Sequence, residues 1–263
     1  ADFGVPQDRH RLFLIGARKG LAMPEYPSPT GCVTVKDAID DLPNADDFSE
    51  LIHSDSVPVK FKSKSLYAKR LRGFEEDPKD FSYWRDFDPH VLSASLRTEH
   101  TDLSRQRFID TPHGKTEPVS RFHKLHPEGV CNTLRAGTDS ARGAFTSPRP
   151  IHPYHPRVIT VREAARLHSY PDWFRFHITK WHGFRQIGNS VPPLLGRAVA
   201  SQIIRALGVK PSKPSEIIPL MDEDKLLNFD MSKAAAYYSV PASVIAQRTR
   251  KTYEKEERGG ANI

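Results

Sequence analysis

Cysteine is nearly missing from this sequence: Cys32 and Cys131 are the only two in 263 residues, and they stand far apart. That shortage excludes a disulfide framework and a thiolate zinc set, and it suits a reducing compartment, with the cytoplasm as the expected location. No apolar run approaches the roughly 20 residues a membrane helix needs, and no basic, apolar, small-residue leader opens the chain. A soluble protein with no membrane partner is expected. Acidic residues are also in the minority, 32 Asp and Glu against 39 Lys and Arg, for a formal net charge of +7. Such a balance favours polyanionic partners through phosphate contacts, although many plain enzymes are mildly basic. Finally, no P-loop, nucleophile-base pair or carboxylate dyad stands out, which disfavours a free-standing α/β domain with its own active site.

Proline, by contrast, is plentiful at 22 residues, crowded between Met23 and Pro58 and between Pro112 and Pro156. Much irregular backbone must follow, because proline offers no amide hydrogen to a ladder. Against that background a few segments are regular. LFLIGA, after the lead-in FGVPQDRHR, has the length and character of a buried strand. TVKDAIDDLP, Thr34 to Pro43, puts Val35, Ala38, Ile39 and Leu42 on one face of a short helix. KSLYAKRLRGF is a basic, helix-like piece.

The most regular stretch runs from Arg157 to Ile203. Thr160 sits at an N-cap position with Glu163 three residues later, and Val161, Ala164, Ala165 and Leu167 follow at helical spacing. That helix should stop near Ser169 to Pro171. IGNSVPP then predicts a loop ahead of a second helix from about Leu194 to Leu207, with its prolines at the helix start. Asn189 and Ser190 are placed either to meet a polar ligand or simply to cap.

The Arg157–Ala200 segment resembles the ninth and tenth motifs of DNA (cytosine-5) methyltransferases, in which an R-x-L-T-x-R-E-x-A-R-L helix precedes G-N-S/A-V-P-P. FGVPQDRHRLFLIG resembles the eighth motif of the same family, and T-V-x-D-A-I-x-D-L-P recurs there too. The resemblance implies an α/β fold: the C-terminal portion of a Rossmann-like methyltransferase, with a mostly β or irregular target-recognition domain and a small helical C-terminal module. It implies that Arg11 reaches a flipped cytosine while Arg9 supports the active-site wall; read alone, both could be solvent-facing residues on an edge strand. It also places Asn189, Ser190 and Val191 against S-adenosylmethionine, and Arg157 where the recognition domain is anchored.

Four segments are therefore expected: residues 1–45, a strand and helix completing the catalytic domain; 46–150, the target-recognition domain; 151–208, the cofactor loop and closing helices; and 209–263, a linker and helical tail. Within the second, Thr133-Leu134 resembles the family's Thr-Leu pair. Arg121, Thr133, Leu134, Arg135, Arg142 and Arg157 are the expected contacts to double-stranded DNA, whether through guanine edges or phosphates. Solvated surface charge is the plainer reading of each arginine.

Two H-x-x-H pairs, His123/His126 and His152/His155, could suggest zinc, but the neighbouring Pro127, Pro153 and Pro156 break the geometry of a ligand helix, so no metal and partly exposed histidines are expected. In the tail, MSKAAAYYSVPASVIAQRTRKTYEKEE reads as two helices broken around Ser239 to Pro241. Ala235, Tyr238, Val240 and Ile245 would face inward and Arg248, Arg250 and Lys251 outward. The second helix could enter a major groove, or the tail could pack on a partner.

The family's chemistry needs a cysteine thiolate, a glutamate and a glycine-rich turn for the methyl donor. Neither TGCVT nor GVCNT has the Pro-Cys-Gln setting, and no F-x-G-x-G turn or E-N-V segment occurs. The expectation is a split, two-chain bacterial enzyme, nucleoid-associated and inactive as this chain alone, with a second subunit carrying the Pro-Cys-Gln half and most of the cofactor site. Ala1 directly ahead of a complete motif is what initiator-methionine removal leaves, and a cleavage product would look the same. Alone, LFLIGA and the Leu194–Leu207 helix should expose an apolar patch. The alternatives are a non-catalytic DNA-binding regulator that reused the recognition domain, and a degraded remnant.

Overall fold

The computed structural model describes residues 1–137, 149–220 and 224–241. Its organising element is a helix of one and a half to two turns, whose every residue is buried. Thr160 caps it by accepting the Glu163 amide, and the Glu163 carboxylate accepts the Thr160 amide at 2.6 Å, the reciprocal box expected from the sequence. In chain order the described helices are α1 (Val35–Ile39), α2 (Leu66–Arg72), α3 (Asp102–Asp110), α4 (Val161–Leu167), α5 (Lys180–Asn189), α6 (Pro193–Ala206) and α7 (Met231–Tyr237). Four short strands accompany them: β1 (Val57–Pro58), β2 (Trp84–Asp86), β3 (Val91–Leu92) and β4 (Ile217–Pro219). β1 and β3 pair antiparallel, β2 and β4 in parallel.

One apolar core runs through the first three expected segments. Val35, Ala38 and Ile39 of α1 meet Leu51, Leu92 and Leu125, then Ala164, Leu167, Phe184 and Ile187 of α4 and α5. α1 ends at Ile39, earlier than its apolar pattern, because Asp40 caps it and the Leu42 amide turns back to the Ile39 carbonyl just before Pro43.

Charged side chains buried in the same region tie the elements together. Asp172 accepts from Arg166 Nε and Nη2, both at 2.6 Å, and lies 2.7 Å from Arg72 Nε and 3.6 Å from Arg162 Nη1. Arg166 also reaches Asp41 at 3.1 Å and the Ala38 carbonyl at 3.0 Å, which fixes α1 on α4. Burial opposes ionisation of Asp172, but Arg166, Arg72 and Arg162 overcome it and hold the carboxyl below the usual carboxylate range. Arg157 forms a second such pair, giving Nη1 and Nη2 to the two Glu163 oxygens at 2.9 and 2.7 Å.

Several sequence expectations are corrected here. LFLIGA does not form a strand: its backbone is unpaired, with Leu12 86% and Leu14 88% exposed, since these described residues hold no neighbouring strand for it. α6 buries none of its residues fully, but its large apolar side chains are half-buried rather than open, apart from Ile203 at 40% exposed. α3 occupies a stretch expected to be irregular; its Thr101 cap accepts the Ser104 amide, but its apolar face is only Phe108 and weakly marked. The 209–220 linker carries β4. In the tail, α7 and a break at Ser239 (φ 52°) are present, yet Tyr238 and Val240 are 62% and 43% exposed rather than inward. Ile245, Arg248, Arg250, Lys251 and the second tail helix lie outside the described residues.

Candidate functional site

The site is assembled by the polar lead-in before LFLIGA. Its backbone pairs with the segment around Cys131: the Asp8 amide donates to the Cys131 carbonyl at 2.7 Å and the Cys131 amide to the Pro6 carbonyl at 2.9 Å. That parallel bridge aims Gln7 and Arg9 inward, where both are buried.

Gln7 orients one chain of hydrogen bonds. Its Oε1 accepts the Leu134 amide at 3.2 Å, so its Nε2 is the donor to the Leu167 carbonyl (3.2 Å) and to His168 Nδ1 (3.0 Å). His168 must then carry its proton on Nε2, which donates to the Ser190 carbonyl at 3.3 Å. Burial, and then Arg9, push the His168 pKa down to about 3, which keeps the ring neutral.

Arg9 makes the second link. Nη1 donates to the Leu134 carbonyl at 2.7 Å, and Nη2 to the Gly188 carbonyl at 2.8 Å and the Ser190 carbonyl at 3.1 Å. Two segments distant in sequence, at Leu134 and at Gly188–Ser190, thus converge on one guanidinium. Burial, followed by repulsion from Arg11, lowers its pKa to about 10, so it stays charged at neutral pH. Its partners are carbonyls and not a carboxylate, so its positive charge is not cancelled there. Arg11 is exposed, its Nη1 resting on the His10 carbonyl at 2.7 Å. Both arginines border an open cavity of about 390 Å3, whose apolar wall includes Phe13, Leu195 and Val199.

The Gly-Asn-Ser loop expected before α6 is in fact the end of α5. Gly188 and Asn189 are its last residues and Ser190 its C-cap; two glycines in KWHGFRQIGN weaken the helical signal in the sequence. Gly188 is required where it is. A Cβ there would lie 2.4 Å from the Ala136 nitrogen and the Arg135 carbonyl carbon, both backbone. Asn189 is exposed and Val191 is 45% exposed, so both can meet a ligand. Ser190 is turned inward, its Oγ donating to the Ile187 carbonyl at 2.8 Å and its carbonyl receiving Arg9 and His168.

The expected DNA contacts divide by exposure. Arg121 (φ 60°) and Arg135 are exposed, and Thr133 is part-buried with its hydroxyl on the Asp8 carbonyl. Leu134 and Arg157 are corrected. Leu134 is 1% exposed and works through its backbone, and Arg157 is 2% exposed and committed to Glu163 and Asn44 Oδ1, so neither side chain can touch a base or phosphate. Arg142 lies outside the described residues.

Other groups have structural work. His152 is 3% exposed instead of partly exposed, stacks on His155 at 4.6 Å, and accepts the Tyr154 and His155 amides on Nδ1. Cys131 is fully buried, and burial alone pushes its thiol far above the ordinary range, which rules out a thiolate there. Among the described residues no helix is long and apolar enough to cross a membrane. Sequence reasoning passed over Gln7, Gly188 and His168. The first two stand inside the quoted motifs, while nothing in the sequence marks His168.

This geometry has recognisable counterparts. Type II methyltransferase M.XorII of Xanthomonas oryzae pv. oryzae is 64% identical over 250 residues, an alignment taking in 95% of this chain and 59% of that protein. Type II methyltransferase M.AplI of Arthrospira platensis is 52% identical over 219 residues, 82% of this chain and 48% of that protein. A solved structure described as a prophage-encoded DNA modification methyltransferase of E. coli aligns with a TM-score of 0.55 and 31% identity, over 79% of this chain and 58% of that one. The chain thus spans about half the length of the relatives it matches, and the α/β methyltransferase fold expected from the motifs is the fold it shares. The profile of the C-5 cytosine-specific DNA methylases runs through residues 1–205, from the lead-in that carries Gln7 and Arg9 to the end of α6, and the chain belongs to that family.

Proposed function

We propose that this chain is the target-reading and cofactor-closing half of a DNA (cytosine-5) methyltransferase, acting on double-stranded DNA together with a second chain that carries the nucleophilic cysteine and the glutamate. The observation that carries this reading is Arg9, whose guanidinium joins the recognition segment at Leu134 to the α5 terminus at Gly188 and Ser190 beside an open, positively charged cavity.

Two features support a nucleophile from outside these residues. Cys131 is buried and inert, and Cys32 lies exposed in TGCVT without the Pro-Cys-Gln setting. The unpaired LFLIGA run and the incompletely buried α6 are what a sheet edge and helix look like without the strands they complete.

S-adenosylmethionine would supply the electrophilic methyl group. Asn189, the last residue of α5, and Val191, just past its C-cap, fit one edge of its site in being exposed, while no glycine-rich turn in the 263 residues supplies the rest. Arg9 fixes that edge relative to Leu134. Arg11, exposed and with its Nη1 resting on the His10 carbonyl, is positioned to give its other hydrogen bonds to a cytosine oxygen or its flanking phosphate. Arg121 and Arg135, both exposed, are the expected contacts of the recognition segment whose side chains are open to DNA. The segments 1–45 and 151–208 then serve the catalytic domain, 46–150 the recognition domain and 209–263 an accessory tail.

A tritiated-methyl transfer assay on DNA tests the proposal, with this chain, a partner bearing Pro-Cys-Gln, and the two mixed. Activity in the mixture alone, abolished by Arg11→Ala, is expected. Sequence-specific binding by this chain with no methylation in any mixture would instead identify a regulator.

A further inference from the structure

The turn between α5 and α6 is held from behind by two consecutive residues. His168 is the C-cap of α4 and Ser169 follows it, and both are buried. Every residue of α4 is buried too, so the end of that helix is a rigid support for whatever it holds.

His168 takes one end of the turn. Its Nδ1 accepts Gln7 Nε2 at 3.0 Å, and its Nε2 donates to the Ser190 carbonyl at 3.3 Å. Ser169 takes the other end, its Oγ accepting the Leu194 amide at 3.1 Å. That amide belongs to the first turn of α6, where Pro192 stands at the N-cap and has no side-chain oxygen to offer. A hydroxyl from the end of another helix therefore does the capping. Ser169 adopts φ 62°, a conformation in which glycine would rest more easily, but glycine would bring no hydroxyl.

Asn189 and Val191 flank the residue that His168 pins. Both are exposed, whereas Ser190 turns its Oγ back to the Ile187 carbonyl and Pro192 is buried. Fixing the Ser190 carbonyl and the Leu194 amide thus fixes the backbone from which the two exposed side chains project. Arg9 also reaches the Ser190 carbonyl, at 3.1 Å, and Gln7 Nε2 also reaches the Leu167 carbonyl, at 3.2 Å. Removing the His168 nitrogens should therefore loosen the turn without stranding either group.

We infer that His168 and Ser169 are positioning residues for the methyl donor: neither touches it, and together they hold Asn189 and Val191 in the register in which those side chains meet S-adenosylmethionine. The inference rests on the reading of Asn189 and Val191 as one edge of the cofactor site.

Four variants test it. His168→Phe keeps a ring and removes both nitrogens, while His168→Gln can accept from Gln7 and donate to Ser190 through one amide. Ser169→Gly relaxes the backbone and removes the hydroxyl. Ser201→Ala is the control, an exposed serine further along α6 whose hydroxyl donates to the Arg197 carbonyl at 2.7 Å. Hydrogen exchange followed by mass spectrometry on the full chain alone should quicken in His168→Phe and Ser169→Gly, and only in peptides spanning residues 187–196. His168→Gln and Ser201→Ala should exchange as the parent does. Methyl transfer by the mixture with the Pro-Cys-Gln partner, at varied S-adenosylmethionine, should show the cofactor KM raised about three- to tenfold in His168→Phe and Ser169→Gly, with kcat within about twofold of the parent. Glutamine at 168 should restore the parent KM. Faster exchange along the whole chain, or no rescue by glutamine, would overturn the inference by reducing the pair to general packing. A fall in kcat at unchanged cofactor KM would overturn it by moving the effect to the target side. No methylation in any mixture would overturn the two-chain reading and the cofactor role with it, and the exchange data would then report the hold on the turn alone.

Discussion

Gly188 lies against the Arg135–Ala136 peptide so closely that a single added methyl would fall 2.6 Å from the Arg135 oxygen. Backbone meets backbone there, so neither side can step aside as a flexible side chain would. Gly188→Ala should therefore force α5 away from the Arg135–Ala136 backbone and destabilise the chain by about 1–3 kcal/mol. Thermal melts of Gly188→Ala beside Gly196→Ala check this; a Cβ at Gly196 meets nothing within 4 Å. Equal melting of the two would refute the contact.

Arg9 should not tolerate lysine. An ammonium can replace the charge but cannot reach the Leu134, Gly188 and Ser190 carbonyls in one planar fork. Each buried carbonyl left without a donor costs about 1–3 kcal/mol. Arg9→Lys should lower both the melting temperature and, in the proposed two-chain enzyme, methyl transfer, whereas Arg11→Lys should lower transfer with stability unchanged. A stable, inactive Arg9→Lys variant would move Arg9 from a positioning to a direct role.

Arg157→Ala should unfold or severely destabilise the chain, by about 3–5 kcal/mol, because it strands the buried Glu163 carboxylate. Glu163→Gln should be milder, since the amide can still accept from the Thr160 amide. Chemical denaturation of both variants checks the order. A stable Arg157→Ala chain that had merely lost DNA affinity would restore the contact role expected from sequence.

Mild acid should weaken the fold before carboxylates titrate. His152 and His168 are both held down to about 3, chiefly by burial, against an ordinary value of 6.5. The unfolded chain takes up their protons below about pH 6.5 while the folded chain does not, so stability falls as pH drops from there toward 3. At pH 5 each costs up to about 2 kcal/mol. Glu163, pulled down to about 2 by Arg157 and His152 against the opposing effect of burial, adds a second loss between about pH 5 and 2. Urea midpoints measured from pH 7.5 to 4.5 should fall, and less so in His168→Gln; a flat profile would contradict the buried neutral rings.

The motifs made some of this legible and not the rest, for physical reasons. The Thr160 to Glu163 box and the Ser239 break are local, so neighbouring residues sufficed to predict them. LFLIGA has a strand's composition, but a strand needs a partner, and these residues provide none. Arg157 has the look of a DNA contact in a basic chain; that its partner is Glu163, six residues on, depends on the turn that brings the two together. His168 gains its role only from Gln7 and Ser190, 161 and 22 residues away.

Those separations also bear on how the chain is made. Arg9 closes onto residues 125, 179 and 181 positions later. At synthesis rates of about 5–20 residues per second, it waits roughly ten to forty seconds for Gly188 and Ser190 to emerge. Throughout that interval the lead-in has no lock, so the nascent chain is most vulnerable to mispairing around Arg9.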